Sequence, residues 1–379
     1  MQEPECCPNP DCHFHWPDEE LRFPRFWINT GTYQTKVSGT VQRFRCSYCG
    51  KGFSERTNSI DYFTKKSLDY IEIHRAVTAA ESVASMARKQ RCHPDSISNR
   101  IDRLGRNALA SHARIINDMV LSEDLCADGF ESFDCSQYHP NNINLAVGVE
   151  SQFLYGFTHC TLRRKGRMTE AQKEKRAKIE TVFKPKPGAL VNSFKELIEN
   201  VLPLWYEPAL PNLCLRTDEH KSYVIALKKI IRIQKAKDKG VFTHVQYSST
   251  LERTIQCMLF AVNYWDRELR KDIAAFRRES TCHTRNVSNG LMRLVLYQFW
   301  HNYTKPHRVK NKEKDLRTHA LMARLDISKV ERERATLYSR RSYISHQLLN
   351  PEERRIWLKK HVTPLKEGDN WVPKFARLG

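Results

Sequence analysis

Leu125-Cys-Ala-Asp-Gly-Phe-Glu-Ser-Phe133 is an apolar run with one acid, Asp128, set inside it. Its length and its Leu, Cys and Phe content predict a β-strand. Ile143–Val149 and Phe153–Leu162 follow after short connections and read as two more strands. Three strands joined this closely predict an antiparallel meander. An amphipathic helix is expected at Ala189–Val201. A fourth strand, Leu213–Thr217, runs into Asp218 and a helix. Val241–Tyr247 reads as a fifth strand, and a long helical run follows from about Leu251 to Phe276.

Three antiparallel strands, a helix, a strand ending in Asp, a helix, a strand and a helix match the element order of an RNase H-like fold. The fold class expected for residues 121–308 is therefore α/β (α+β), with a mixed five-stranded sheet. In that fold the first strand carries an Asp and the fourth ends beside a second. Here those are Asp128 and Asp218. Two carboxylates on adjacent strands repel each other unless cations sit between them. Two Mg²⁺ ions held that way can activate a water or 3′-hydroxyl and stabilise the leaving oxygen of a phosphodiester. For a third acid the last helix offers Asp266, with Asn263 as an adjacent polar ligand and Glu279, just beyond, as the rival. Asn263, Asp266 and Arg270 share one helix face, and Glu268 points elsewhere.

Upstream, Cys7-Pro-Asn-Pro-Asp-Cys12 and Cys46-Ser-Tyr-Cys49 form two knuckles, the second followed by Gly50 and Gly52. Residues 21–45 between them read as short strands around turns. A segment this small needs a staple, and four thiolates around Zn²⁺ provide one. A zinc ribbon is expected over residues 1–60, with Cys6, His13 and His15 as competing ligands nearby. Four protein ligands leave no open position, so the metal is structural.

Residues 61–120 read as helical. Thr78…Glu81 resembles a capping box opening one helix, and Pro94-Asp95 opens another. Two helices around a tight turn, the second carrying Asn99, Arg100 and Arg103, resemble a helix-turn-helix. Those three residues are the expected DNA contacts.

The 379 residues carry 63 Lys and Arg against 43 Asp and Glu, a net charge of +20. That excess predicts a polyanionic partner, most simply nucleic acid. It is unevenly spread. Residues 121–160 hold six carboxylates and no Lys or Arg, whereas residues 161–190 hold ten Lys and Arg against three Glu. No apolar run approaches the roughly 18–20 residues of a membrane helix, and no basic-then-apolar leader opens the chain. An intracellular location without a membrane partner is expected. Most of the other eight of the twelve cysteines read as small buried apolar residues. The residues from 309 to 379 read as a basic helical tail.

These segments together resemble prokaryotic insertion-sequence transposases with an N-terminal zinc ribbon and a DDE-type core. The resemblance spans about residues 7–308. It is carried by Cys7…Cys12, Val41-Gln-Arg-Phe-Arg-Cys46-Ser-Tyr-Cys49-Gly-Lys-Gly-Phe-Ser, Ala127-Asp128-Gly-Phe-Glu-Ser-Phe, Thr217-Asp218, Val262-Asn263-Tyr-Trp-Asp266, Arg278-Glu279-Ser280 and Trp300-His-Asn-Tyr-Thr-Lys-Pro306-His. Related families carry a Glu on the third-acid helix, or an Asn with a Glu one turn on; this chain has Asn263 and Asp266. The resemblance implies Mg²⁺-dependent cleavage and strand transfer on double-stranded DNA, at transposon ends and target. It also implies a homo-oligomer on DNA and a cytoplasmic, nucleoid-associated location. Two other functions stay open: a DNA-binding regulator using residues 1–116 alone, and an RNase H-like nuclease.

Overall fold

The computed structural model describes residues 3–16, 25–248, 250, 252–277, 284–308, 316–366 and 371–377. An antiparallel N-terminal sheet is built from β1 (Trp27–Thr35), β2 (Gly39–Cys46) and β3 (Gly52–Ser54), in that order. It buries few apolar side chains: Phe26, Trp27, Phe44 and Phe53 pack beside Cys7, Cys12 and Cys46. So small a cluster does not offset the chain entropy of the segment, which explains the need for a thiol staple.

Three helices follow, α1 (Tyr70–Thr78), α2 (Val83–Lys89) and α3 (Pro94–Ile116). Pro94 sits in the first turn of α3, where its missing N–H costs nothing. Thr78 does not open α2 as expected; it ends α1. Ala80, with φ of 58°, breaks the chain direction there. Ser82 caps α2 instead, its hydroxyl accepting from Ser85 N at 3.2 Å.

The central sheet contains β4 (Leu125–Phe133), β5 (Pro140–Gly148) and β6 (Leu154–Thr161). Helices α4 (Glu170–Glu180) and α5 (Ala189–Val201) come next, then β7 (Leu213–Asp218), α6 (Lys221–Lys228), α7 (Ile231–Asp238) and β8 (Phe242–Tyr247). The order across the sheet is β6-β5-β4-β7-β8. The first three are antiparallel, and β7 and β8 run parallel to β4. This is the mixed five-stranded sheet expected of an RNase H-like domain. Helix α8 (Phe260–Asp272) is shorter than the predicted helical run, because the chain before Phe260 is in turns. Helix α9 (Val287–Tyr303) follows, then α10 (His319–Met322), α11 (Ile327–Thr336), α12 (Pro351–Trp357) and α13 (Lys374–Arg377). Among the described residues no helix is long and apolar enough to cross a membrane.

Alternation along β4 decides what each face sees. Asn144, paired with Gly129, donates to Ser193 of α5 at 2.9 Å, so Gly129 lies on the α5 side. Phe130 lies on the other side, with the Arg270 guanidinium of α8 over its ring at 4.6 Å. Asp128 shares parity with Phe130 and therefore faces α8.

The expected segments 61–120, 121–308 and 309–379 are not independent units. One apolar cluster runs from Ile60 through Leu104, Leu145, Trp265 and Leu296 to Trp357. Helix α3 is the reason. It is buried from Arg103 to Ala113 and packs along α9, with α11 and α12 of the tail against its other side.

Candidate active site and thiol cluster

Cys7 and Cys49 bring their Sγ atoms to 3.6 Å, and Cys12 and Cys46 theirs to 3.8 Å. A tetrahedral Zn²⁺ with bonds of about 2.3 Å needs S···S edges of about 3.8 Å. Among the described residues these four form the one group of three or more His, Cys, Asp or Glu whose ligand atoms all lie within 4.8 Å. They can hold a structural zinc. The competing ligands have other roles. Burial pushes the Cys6 thiol up to about 12. The His15 Nδ1–H donates to the Cys7 carbonyl at 2.8 Å, and its Nε2 accepts from the Ser345 hydroxyl at 2.7 Å. His13 packs its ring edge-on to Phe14.

The three aspartates come from three elements. Pairing between β4 and β7 aligns Cys126 with Arg216 and goes no further. Two residues beyond that last pair, Asp128 and Asp218 stand where the strands part. A gap at the carboxyl ends of neighbouring parallel strands is where open α/β sheets take ligands. Helix α8, lying against β4 and β5, adds Asp266. Desolvation pushes the Asp128 carboxyl up to about 7, with the negative charges of Asp218 and Asp266 adding to the effect. The aspartate oxygens are spread more widely than the thiols, since they form no group within 4.8 Å.

The orientation of these carboxylates is fixed locally. Asp128 Oδ1 accepts from Gly129 N at 2.7 Å and from the Tyr223 hydroxyl at 3.1 Å. Asp218 Oδ1 accepts from His220 N at 2.9 Å, and Gln246 Nε2 donates to the Asp218 carbonyl at 3.2 Å. Gly129 is needed for packing: a Cβ there would stand 2.0 Å from Asn142 Nδ2. Tyr223 and Gly129, absent from the sequence-based expectations, are the residues that hold the candidate Asp128 carboxylate. The available signal for Tyr223 was a single hydroxyl on the otherwise apolar face of α6, one turn past Asp218.

Asn263 is on α8 one turn before Asp266, and its amide donates to Cys257 Sγ at 3.9 Å. Glu279 lies outside the described residues. Glu268 points away as expected, held by Lys305 and by Lys271 at 3.0 Å. The His-Asn-Tyr segment is structural. Asn302 grips the start of β6, accepting from Leu154 N at 3.0 Å and donating to its carbonyl at 2.9 Å.

The expected DNA contacts need correction. Arg100 and Arg103 are buried, at 5% and 8% exposure. Arg100 donates to the Lys66 carbonyl at 2.7 Å and Arg103 to the Ile60 carbonyl at 2.8 Å. Both also donate to Asn99 Oδ1 at 2.9 Å. They fasten the 60–66 segment to α3 and turn away from solvent. The polar pattern that resembled a recognition helix is an inward-facing network.

No protein-family model matches the chain, and no curated protein matches it.

Proposed function

We propose that this chain is a DDE-type DNA transposase, cutting and joining phosphodiester bonds at transposon ends. The observation that supports it most is the convergence of Asp128, Asp218 and Asp266 at the parting of β4 and β7. A buried carboxylate repelled by two others, as Asp128 is by Asp218 and Asp266, is a poor arrangement for stability and a good one for divalent cations. An all-oxygen donor set suits Mg²⁺.

Bound Mg²⁺ would supply Lewis acidity toward a phosphodiester and its attacking hydroxyl or water. The chain's own contribution is orientation. Gly129 N and the Tyr223 hydroxyl engage Oδ1 of Asp128, which leaves its Oδ2 for the site. His220 N does the same for Asp218. Asp266 approaches from the opposing helix, and Asn263 is a neutral ligand one turn away. Glu279 remains the rival third acid on the segment after α8.

Strand transfer of a labelled transposon end with Mg²⁺ tests this reading. Wild-type protein joins the end to target DNA; Asp128→Asn and Asp218→Asn lose at least two orders of magnitude in rate, a loss on the order of that seen when electrostatic stabilisation is removed. Binding without cleavage by wild type would mark a regulator. Cleavage of arbitrary DNA without joining would mark a nuclease.

A further inference from the structure

Residues 162–188 leave the central sheet after β6 and return at α5. Nothing in the fold requires so long an excursion. Helix α4, at its centre, buries none of its residues, so it adds little to the core. It is held mainly by ion pairs, Arg163 to Glu180 at 2.7 Å and Arg176 to Glu180 at 3.6 Å. What the excursion does build is a groove of about 720 Å³. One bank is Arg163, Arg164 and Lys165; the other is Lys184 to Gly188. Lys165, Lys184 and Lys186 are exposed, and among the described residues they form no ion pair. Arg164 Nη1 is buried there without a hydrogen-bond partner.

The groove lies on the α5 side of the sheet, with Glu131 and Phe133 of β4 in its wall. The carboxylates face α8. The two regions meet at the end of β7, where His220 lines the groove and donates its N–H to Asp218. A volume of this size holds a small ligand. It therefore fits a short length of sugar-phosphate backbone and not a duplex.

We propose that residues 162–188 form a cleft that guides one DNA strand: its phosphates lie between Lys165 and the Lys184/Lys186 bank, and the strand crosses the sheet edge beside His220 to reach the carboxylates. This rests on reading Asp128, Asp218 and Asp266 as the phosphoryl-transfer site. The lysines are point charges without base readout, so the cleft discriminates by strandedness and not by sequence.

The test uses full-length, zinc-loaded protein and a fluorescein-labelled forked DNA with one single-stranded arm. Affinity is measured against salt for wild type, for Lys165→Ala/Lys184→Ala/Lys186→Ala and for Lys228→Ala/Lys229→Ala at the C-terminal end of α6. Three lost single-strand phosphate contacts reduce the slope of log affinity on log salt by about 2. The α6 variant keeps the wild-type slope for the single-stranded arm. An unchanged slope in the triple variant, with unchanged thermal unfolding, overturns the proposal. An effect equal on a blunt duplex and on the fork also overturns it, as does a preference for an RNA arm. Charge reversal at Lys184 (Lys184→Glu) gives a second reading if the triple variant is unstable. Asp128→Asn separates the two ideas. If wild type never cleaves but the slope falls, the cleft stands and the transposase reading fails; if cleavage needs Asp128 but the lysines do nothing, the reverse holds.

Discussion

Asp128 is costly to the fold. Its carboxyl ordinarily titrates at 3.8 and is pushed up to about 7 in the folded chain. The folded state thus holds a proton that the unfolded state has already released. In a chelator, stability from this group is fully present below about pH 3.8 and is lost as the pH rises through about 7. Asp128→Asn keeps an oxygen for Gly129 N and Tyr223 but cannot ionise. In EDTA its thermal unfolding midpoint should approach that of wild type as the pH falls toward 3.8 and exceed it most near pH 8, by a few degrees for each kcal/mol relieved. Excess Mg²⁺ should narrow that gap. A difference that is flat with pH, or one that shrinks toward pH 8, would contradict this account of Asp128.

Helix α3 carries the sharpest lesson among the elements. Its start at Pro94 was legible because a proline in the first turn is a local signal. Its environment was not. The carbonyls that take up Arg103 and Arg100 belong to Ile60 and Lys66, 43 and 34 residues earlier. No periodicity within the helix records partners so distant, and a buried arginine looks in sequence like a solvent-facing one. Strand β4 and helix α5 were legible to the residue because their own apolar patterns define them. Tyr223 escaped notice because its partner, Asp128, is 95 residues away. Arg103→Ala should therefore act on stability. Loss of a charged, buried hydrogen-bonding network costs about 1.5–3 kcal/mol per bond to a charged group. The variant should unfold at a lower temperature while its folded form binds DNA with wild-type affinity and salt dependence. A selective loss of DNA binding at unchanged stability would restore the recognition-helix reading.

At the scale of the whole molecule, the thiol cluster is tied to the far end of the chain. Ile60 N donates to the Ser339 carbonyl at 2.9 Å, and Arg341 N to the Asn58 carbonyl at 2.7 Å. Glu5 pairs with Arg340 at 2.8 Å, Tyr343 donates to Asn58 at 2.6 Å, and His15 bridges Cys7 to Ser345. Chelation of the metal should consequently do more than unfold residues 3–54. Hydrogen exchange at the amides of Ile60 and Arg341 should speed up at least tenfold, while amides of β4 and β5 stay protected. Exchange confined to the N-terminal sheet would show that the tail holds without it. The position of β4 in the sheet order also bears on how the molecule is made. Its pairing with β5 and β6 joins neighbours in sequence and can form early. Its pairing with β7 joins Leu125 to Leu215, closing a loop of 215 − 125 = 90 residues. Long-range closures of that kind are slow relative to local hairpins. Asp128 and Asp218 are thus kept apart during the first steps of folding, and the electrostatic conflict between them arises only when the last parallel strands dock.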